Sequence, residues 1–204
     1  TSASFISDRL DITKILPLSG GDMLLIWQDF TSQGLSNGVL YSRVLSDGGS
    51  WDGSNTTIAS NIDYTTSNAA NHRDFFGAGV NESTGDVYLA INKGPNLADD
   101  IESYEYDESA RTWSAKTDVL TAGSDIQGDV KVAVEEGSGD VYVFYAKGAS
   151  SNNYHIYYKM SSDGMTTWNP QTQVTSSSDD YRIIRNNEIG DRTVSYTHLR
   201  AHET

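Results

Sequence analysis

The stretch "THLRAHET" that closes the chain holds His198, His202 and Glu203. Two histidines four residues apart share one face of a helix, and with a carboxylate beside them they make the set that zinc hydrolases use. The other chemistry-bearing residues recur at intervals. Asp11, Asp129 and Asp180 each stand 11 residues ahead of the aspartate of a Gly-Asp pair (Asp22, Asp140, Asp191), and Asp74 stands 12 ahead of Asp86. Carboxylates that converge can bind a cation such as calcium, or act as general acid and base once crowding raises one pKa. An aspartate at such a place also caps a strand start or a turn, and repetition suits that duty equally well. Lys93 and Lys147 occupy matching positions, 7 residues after Asp86 and Asp140, and Asn152, Asn153, Tyr154 and His155 follow the second lysine. Amide, phenol and amine groups on a rim can hold sugars, and they are also ordinary loop composition.

What must position these groups is a repeat. Gly-Asp opens an apolar run in "GDMLLIWQD", "GDVYLAINKG" and "GDVYVFYAKG", and it returns at Gly190-Asp191. A tryptophan follows each of the first three aspartates at near-constant distance: Trp51 after 29 residues, Trp113 after 27 and Trp168 after 28. A period of this size signals a stacked or radial architecture. Each unit divides into four short runs; in the third they read "DVKVAVEE", "GDVYVFYAKG", "YHIYYKMS" and "TWNPQTQV". Val, Tyr, Phe and Ile bounded by Gly, Ser, Asn and Asp mark strands and hairpins, and no long stretch has helical periodicity. The expected fold is all-β. It is an incomplete β-propeller of three four-stranded antiparallel blades (about 9–60, 72–122 and 127–176) plus the start of a fourth over 179–193. A β-sandwich is the alternative, but it leaves a recurring four-strand unit unexplained.

The turn "SSDGMTTW", Ser161 to Trp168, resembles the Asp-box of the bacterial neuraminidase repeat family, S-x-D-x-G-x-T-W, through Ser161, Asp163, Thr167 and Trp168. Met165 stands where the family has glycine. "SDGGSW", with Asp47 and Trp51, is the same box one residue short, and "YDESARTW", with Asp107 and Trp113, is one residue long. An aspartate here accepts N–H bonds across a tight turn, and the tryptophan is expected to be largely buried in its blade. The resemblance implies a sialidase-like propeller whose boxes sit away from the ligand face, so these residues are structural. That face forms where the inner strands begin, next to Asp11, Asp74, Asp129 and Asp180. Sialidases clamp a substrate carboxylate with arginines, whose forks suit it. "YRII" is similar to the family's strand start and makes Arg182 one candidate; Arg73 in "NHRDFF" is another. As an alternative, Arg182 pairs with Asp179 or Asp180, and Arg73 with Asp74.

Residues 194–204 fit no part of the repeat. All eleven, "VSYTHLRAHET", are the translation of a transposase sequencing adapter, so the chain reads as a truncated fragment and the apparent zinc site as an artefact; no metal or cofactor is otherwise implied. The charge of −14 disfavours nucleic acid and anionic membranes, and no apolar run is long enough to insert. A secreted or cell-surface protein suits it. Cysteine is absent, so disulfides are excluded. The expected function is a module that binds a glycan or an extracellular protein. The alternative is part of a sialidase-type exoglycosidase.

Overall fold

The computed structural model describes residues 13–29, 38–62, 76–93, 101–121, 130–148 and 154–175. They form three antiparallel sheets of four strands, each strand paired to its sequence neighbour. The first holds β1 (Thr13–Pro17), β2 (Met23–Asp29), β3 (Gly38–Leu45) and β4 (Thr56–Ile62). The second holds β5 (Phe76–Val80), β6 (Val87–Asn92), β7 (Ile101–Asp107) and β8 (Thr112–Ala115). The third holds β9 (Lys131–Val134), β10 (Val141–Gly148), β11 (Tyr154–Ser161) and β12 (Thr172–Gln173). Strands β1, β5 and β9 lie side by side, which makes them the inner strands of three propeller blades. The start of a fourth blade, over 179–193, lies outside the described residues.

Alternation along the strands explains the stacking. Leu24 and Ile26 of β2, with Leu40 and Val44 of β3, point from the first sheet into a core completed by Val87, Leu89, Ile91 and Tyr106 of the second. Tyr88 and Ala90 point the other way and meet Val141, Val143 and Tyr145 of the third. Every residue of β6 is therefore buried, whereas β2 and β10 alternate. A central sheet covered on both faces reads as a continuous apolar run, and "VYLAIN" is one.

The Gly-Asp pair has a mechanical role. Gly21, Gly85 and Gly139 all sit at positive φ (89°, 80° and 75°), as the tight turn between first and second strands demands. The aspartate then ties this turn to the next one: Asp47 N donates to Asp22 Oδ1 at 2.9 Å, and Glu108 N donates to Asp86 Oδ1 at 3.1 Å. Both turns of a blade are thus laced together at one end.

At that end the third box closes on itself. Asp163 Oδ1 accepts from Ser161 Oγ (2.8 Å) and Thr167 N (2.9 Å), and Oδ2 accepts from Thr167 Oγ1 (2.6 Å). These bonds to Thr167 and Ser161 hold the carboxyl at a pKa of about 2, below its ordinary 3.8. Asp107 is lowered for the same reason, by Ser109 Oγ and Ala110 N. Beside the first box, Asp52 Oδ1, one residue past Trp51, accepts from Val44 N at 3.0 Å. Because the folded pKa of Asp163 is depressed, its stabilisation is complete above about pH 4 and is lost as pH falls towards 2. The expected result is a melting-temperature gap between wild type and Asp163→Asn that is widest at pH 5 and shrinks on approaching pH 2. A gap that stays constant over that range would sink this account of the box.

The structure departs from the sequence expectations at three points. Two of the box tryptophans bond across to the preceding sheet: Trp113 Nε1 donates to Ser42 Oγ (2.8 Å) while its ring packs on Tyr106 of its own sheet, and Trp168 Nε1 donates to Thr117 O (2.7 Å). Trp113 and Trp168 are half-buried, but Trp51 is 46 % exposed, under the Arg43 guanidinium and with no sheet on its far side among the described residues. Met165 takes the positive φ (64°) that glycine would supply, and its side chain is wholly buried in the second seam. Its packing offsets a left-handed backbone that costs about 1–2 kcal/mol. Finally, the fourth strand of the third sheet is only two residues long. Asn169 N still reaches Met160 O of β11, but Pro170 has no N–H to continue the ladder.

Candidate functional site at the mouth of the arc

The inner strands β1, β5 and β9 begin at the end opposite the boxes, and β2, β6 and β10 finish there. This end is the mouth. Strand starts Thr13, Phe76 and Lys131 come two residues after Asp11, Asp74 and Asp129. Asp11, Asp74, Asp129, Asp180, Arg73 and Arg182 themselves lie outside the described residues, as do His198, His202, Glu203, Asn152 and Asn153. Among the described residues no group of three or more His, Asp or Glu could hold a metal ion.

The described part of the mouth has two polar seams, one between each pair of sheets. In the first, Lys93 Nζ pairs with Glu102 Oε1 at 3.1 Å, and Tyr104 donates its hydroxyl to Glu102 Oε2 at 2.5 Å. Burial, then the bond to Glu102, raises the Tyr104 pKa, so this phenol stays a donor at any physiological pH. Gln28, on the facing strand of the first sheet, has both side-chain amide atoms buried without a hydrogen-bond partner. Beside them Lys14 Nζ lies 5.9 Å from the centroid of the Phe76 ring, joining the starts of β1 and β5.

The second seam is built on β10 and β11. Their register sets Lys147 opposite His155, Tyr145 opposite Tyr157 and Val143 opposite Lys159, so each pair shares a face. The Tyr145 and Tyr157 rings stack with centroids 6.2 Å apart, and Tyr145 is fully buried. Burial and then Tyr157 push the Tyr145 pKa up. Gln171 Oε1 accepts from Tyr145 Oη (3.3 Å) and lies 3.5 Å from Lys147 Nζ, while Gln173 Oε1 accepts from Tyr157 Oη (3.2 Å). His155 Nδ1 is buried with no hydrogen-bond partner. An unpaired buried polar atom costs roughly 1–3 kcal/mol, so three such atoms on Gln28 and His155 mark places where a ligand's polar groups would be welcome.

Sequence reasoning singled out Lys93, Lys147 and His155, and the structure puts the last two on one face. It missed Gln28, Glu102, Tyr104, Tyr145, Gln171 and Gln173. Tyr145 sits within the apolar run "GDVYVFYAKG" and Gln171 within the fourth run "TWNPQTQV". Only the strand pairing reveals that they meet.

No protein-family model matches the chain, and no curated protein does. Solved structures do. An α-L-arabinofuranosidase from Fusarium graminearum, solved with an iminosugar inhibitor, superposes with a TM-score of 0.55 at 13% identity, over 83% of this chain and 49% of that one. The same organism's enzyme with arabinobiose gives 0.52 at 14%, over 83% and 50%. An α-L-arabinanase from Penicillium chrysogenum, complexed with arabinobiose, gives 0.52 at 13%, over 84% and 52%. The chain spans about half the length of these glycoside hydrolases, and at such identity the likeness establishes a shared propeller fold.

Proposed function

We propose that this chain is part of a carbohydrate-active β-propeller that takes a glycan at its mouth and, in the complete ring, hydrolyses a glycosidic bond. The observation that supports it most is the superposition on enzymes solved with arabinobiose and with an iminosugar. The disposition of groups agrees with that reading. At the box end the aspartates are engaged by the chain's own N–H and O–H groups, whereas amide, phenol, imidazole and ammonium groups with spare capacity gather at the mouth. Hydrolysis needs two carboxyl groups flanking the scissile bond. Asp11, Asp74, Asp129 and Asp180 are our candidates for these, or for holding a cation such as calcium. We place the protein outside the cell or on its surface, where its negative charge is in keeping with a soluble glycan partner.

One observation favours a second reading, a sialidase-type member of the Asp-box family: the third box makes the aspartate bonds across its turn that this motif calls for. In that reading Arg182 and Arg73 clamp a sugar carboxylate. A binding module for an extracellular protein is a third possibility only if glycans fail.

The test is a calorimetric titration of the chain with arabinobiose, an arabinan oligomer and sialyllactose. Binding of either arabinose ligand, undiminished in Arg182→Ala, favours the arabinan-type reading. Binding of sialyllactose, abolished in Arg182→Ala, favours the sialidase-type one. Absence of binding to all three and to a broader glycan panel would falsify the carbohydrate proposal.

A further inference from the structure

The mouth end of the second seam differs from that of the first in charge. In the first, Lys93 pairs with Glu102; in the second, the pair Lys116–Glu105 lies towards the box end, near Gly164. Lys147 and Lys159 have no carboxylate partner among the described residues, although the chain carries 28 acidic residues against 14 Lys and Arg. Lys147 has only the neutral Gln171 oxygen, 3.5 Å away, and Lys159 Nζ donates to the main-chain Val119 O at 2.7 Å. Register puts both on the face that looks at the second sheet, with the Tyr145–Tyr157 pair between them and His155 directly across from Lys147. Burial, and then the charge of Lys147, lowers the Lys159 pKa. The two ammonium groups therefore feel each other. Two cations on one face of the sheet, with no carboxylate partner among the described residues, favour an arriving anion.

We propose that the mouth end of this seam is an anion-binding subsite, in which Lys147 and His155 hold the carboxylate of a uronate unit of the glycan. This rests on the carbohydrate reading above and narrows its ligand class. The chemistry fits a carboxylate. Its two oxygens can take one bond from the Lys147 ammonium and one from the His155 Nδ1 proton, filling the imidazole position that is buried and unpaired. Gln171 can release Lys147 without loss, because its oxygen keeps the Tyr145 hydroxyl. Lys159, set deeper, stays on Val119 and adds positive potential from behind.

Trigalacturonate and its methyl ester test this with the 204-residue chain, since they share a shape and differ in charge. The acid is expected to bind at least about tenfold more tightly than the ester at low salt, as charge-assisted hydrogen bonds imply. Lys147→Gln is expected to bring the acid down to the affinity of the ester and leave the ester unchanged, while Lys147→Arg keeps most of the preference. His155→Gln, judged by the same ratio, serves if Lys147→Gln does not fold, and the His155 ring resonances should shift with acid and not with ester. Equal affinity for acid and ester, or a Lys147→Gln loss common to both, overturns the subsite while leaving the carbohydrate reading in place. Binding of neutral arabinose oligomers without either uronide does the same. Failure of every glycan would instead remove the reading beneath it.

Discussion

Gly77→Ala should destabilise the protein by about 3 kcal/mol or more, which is at the upper end of what adding one methyl to a packed interior does. A Cβ built on Gly77 would lie 2.7 Å from Val130 O and from Val132 N, and 2.8 Å from Lys131 Cα. All three are main-chain atoms of the neighbouring inner strand, so no side chain can rotate away. The sheets would have to part where they approach most closely. Gly79 is a milder case, since its nearest neighbour at 3.1 Å is the Val134 methyl. Gly53, with nothing within 4 Å and no special φ, is the control, and its alanine variant should stay within about 0.5 kcal/mol of wild type. Urea denaturation of the three variants decides the matter. A Gly77→Ala effect below about 1 kcal/mol would mean that β5 and β9 do not pack backbone to backbone.

The box tryptophans should separate by position. Trp113→Ala and Trp168→Ala each remove a ring packed against a core cluster and a hydrogen bond to the preceding sheet, so each should cost about 3 kcal/mol. Replacing either with Phe keeps most of the ring and loses the N–H, at about 1 kcal/mol. Trp51→Ala should cost less than about 1 kcal/mol, because Trp51 is nearly half exposed and lies under the Arg43 guanidinium with no cross-sheet hydrogen bond among the described residues. Three residues that look interchangeable along the chain thus divide two against one. Equal losses at all three sites would show that the ring's own blade, and not the neighbouring one, provides the contact.

That division shows what the sequence could and could not disclose. The four-strand unit was legible because each blade solves a local problem with local residues: β-branched and aromatic runs, a positive-φ glycine and, in the first two, an aspartate bonded to the next turn. Strand β11 falls on the very run, "YHIYYKMS", that the alternating pattern marked out. What a side chain packs on across a seam depends on the relative placement of two sheets, and no pattern within one unit carries it. Hence the bonds of Trp113 and Trp168 to the preceding sheet, and the burial of Met165 in the second seam, are not carried by the repeat pattern. The cationic cluster was hidden for a similar reason. Lys147, His155, Lys159 and Gln171 span 25 positions and meet only through the β10–β11 pairing and the return of the chain after the third box.

The two seams are held by unlike forces, and this bears on how cooperatively the molecule unfolds. In a linear array of repeats each unit is coupled only to its neighbours, so the weaker junction sets where cooperation fails. Between the first and second sheets one tie is the Arg111–Asp22 ion pair, 2.5 Å long, with the arginine side chain half in solvent. Dissolved salt weakens such a tie. Between the second and third sheets the ties are more enclosed: the inner strands against Gly77, Thr117 Oγ1 on Thr166 O, the Met165 side chain, and the part-buried bond from Lys159 Nζ to Val119 O, which screening reaches less. Rising ionic strength should therefore loosen the first junction and spare the second. The first blade would then exchange its amide hydrogens as a separate block, ahead of a pair that still opens as one.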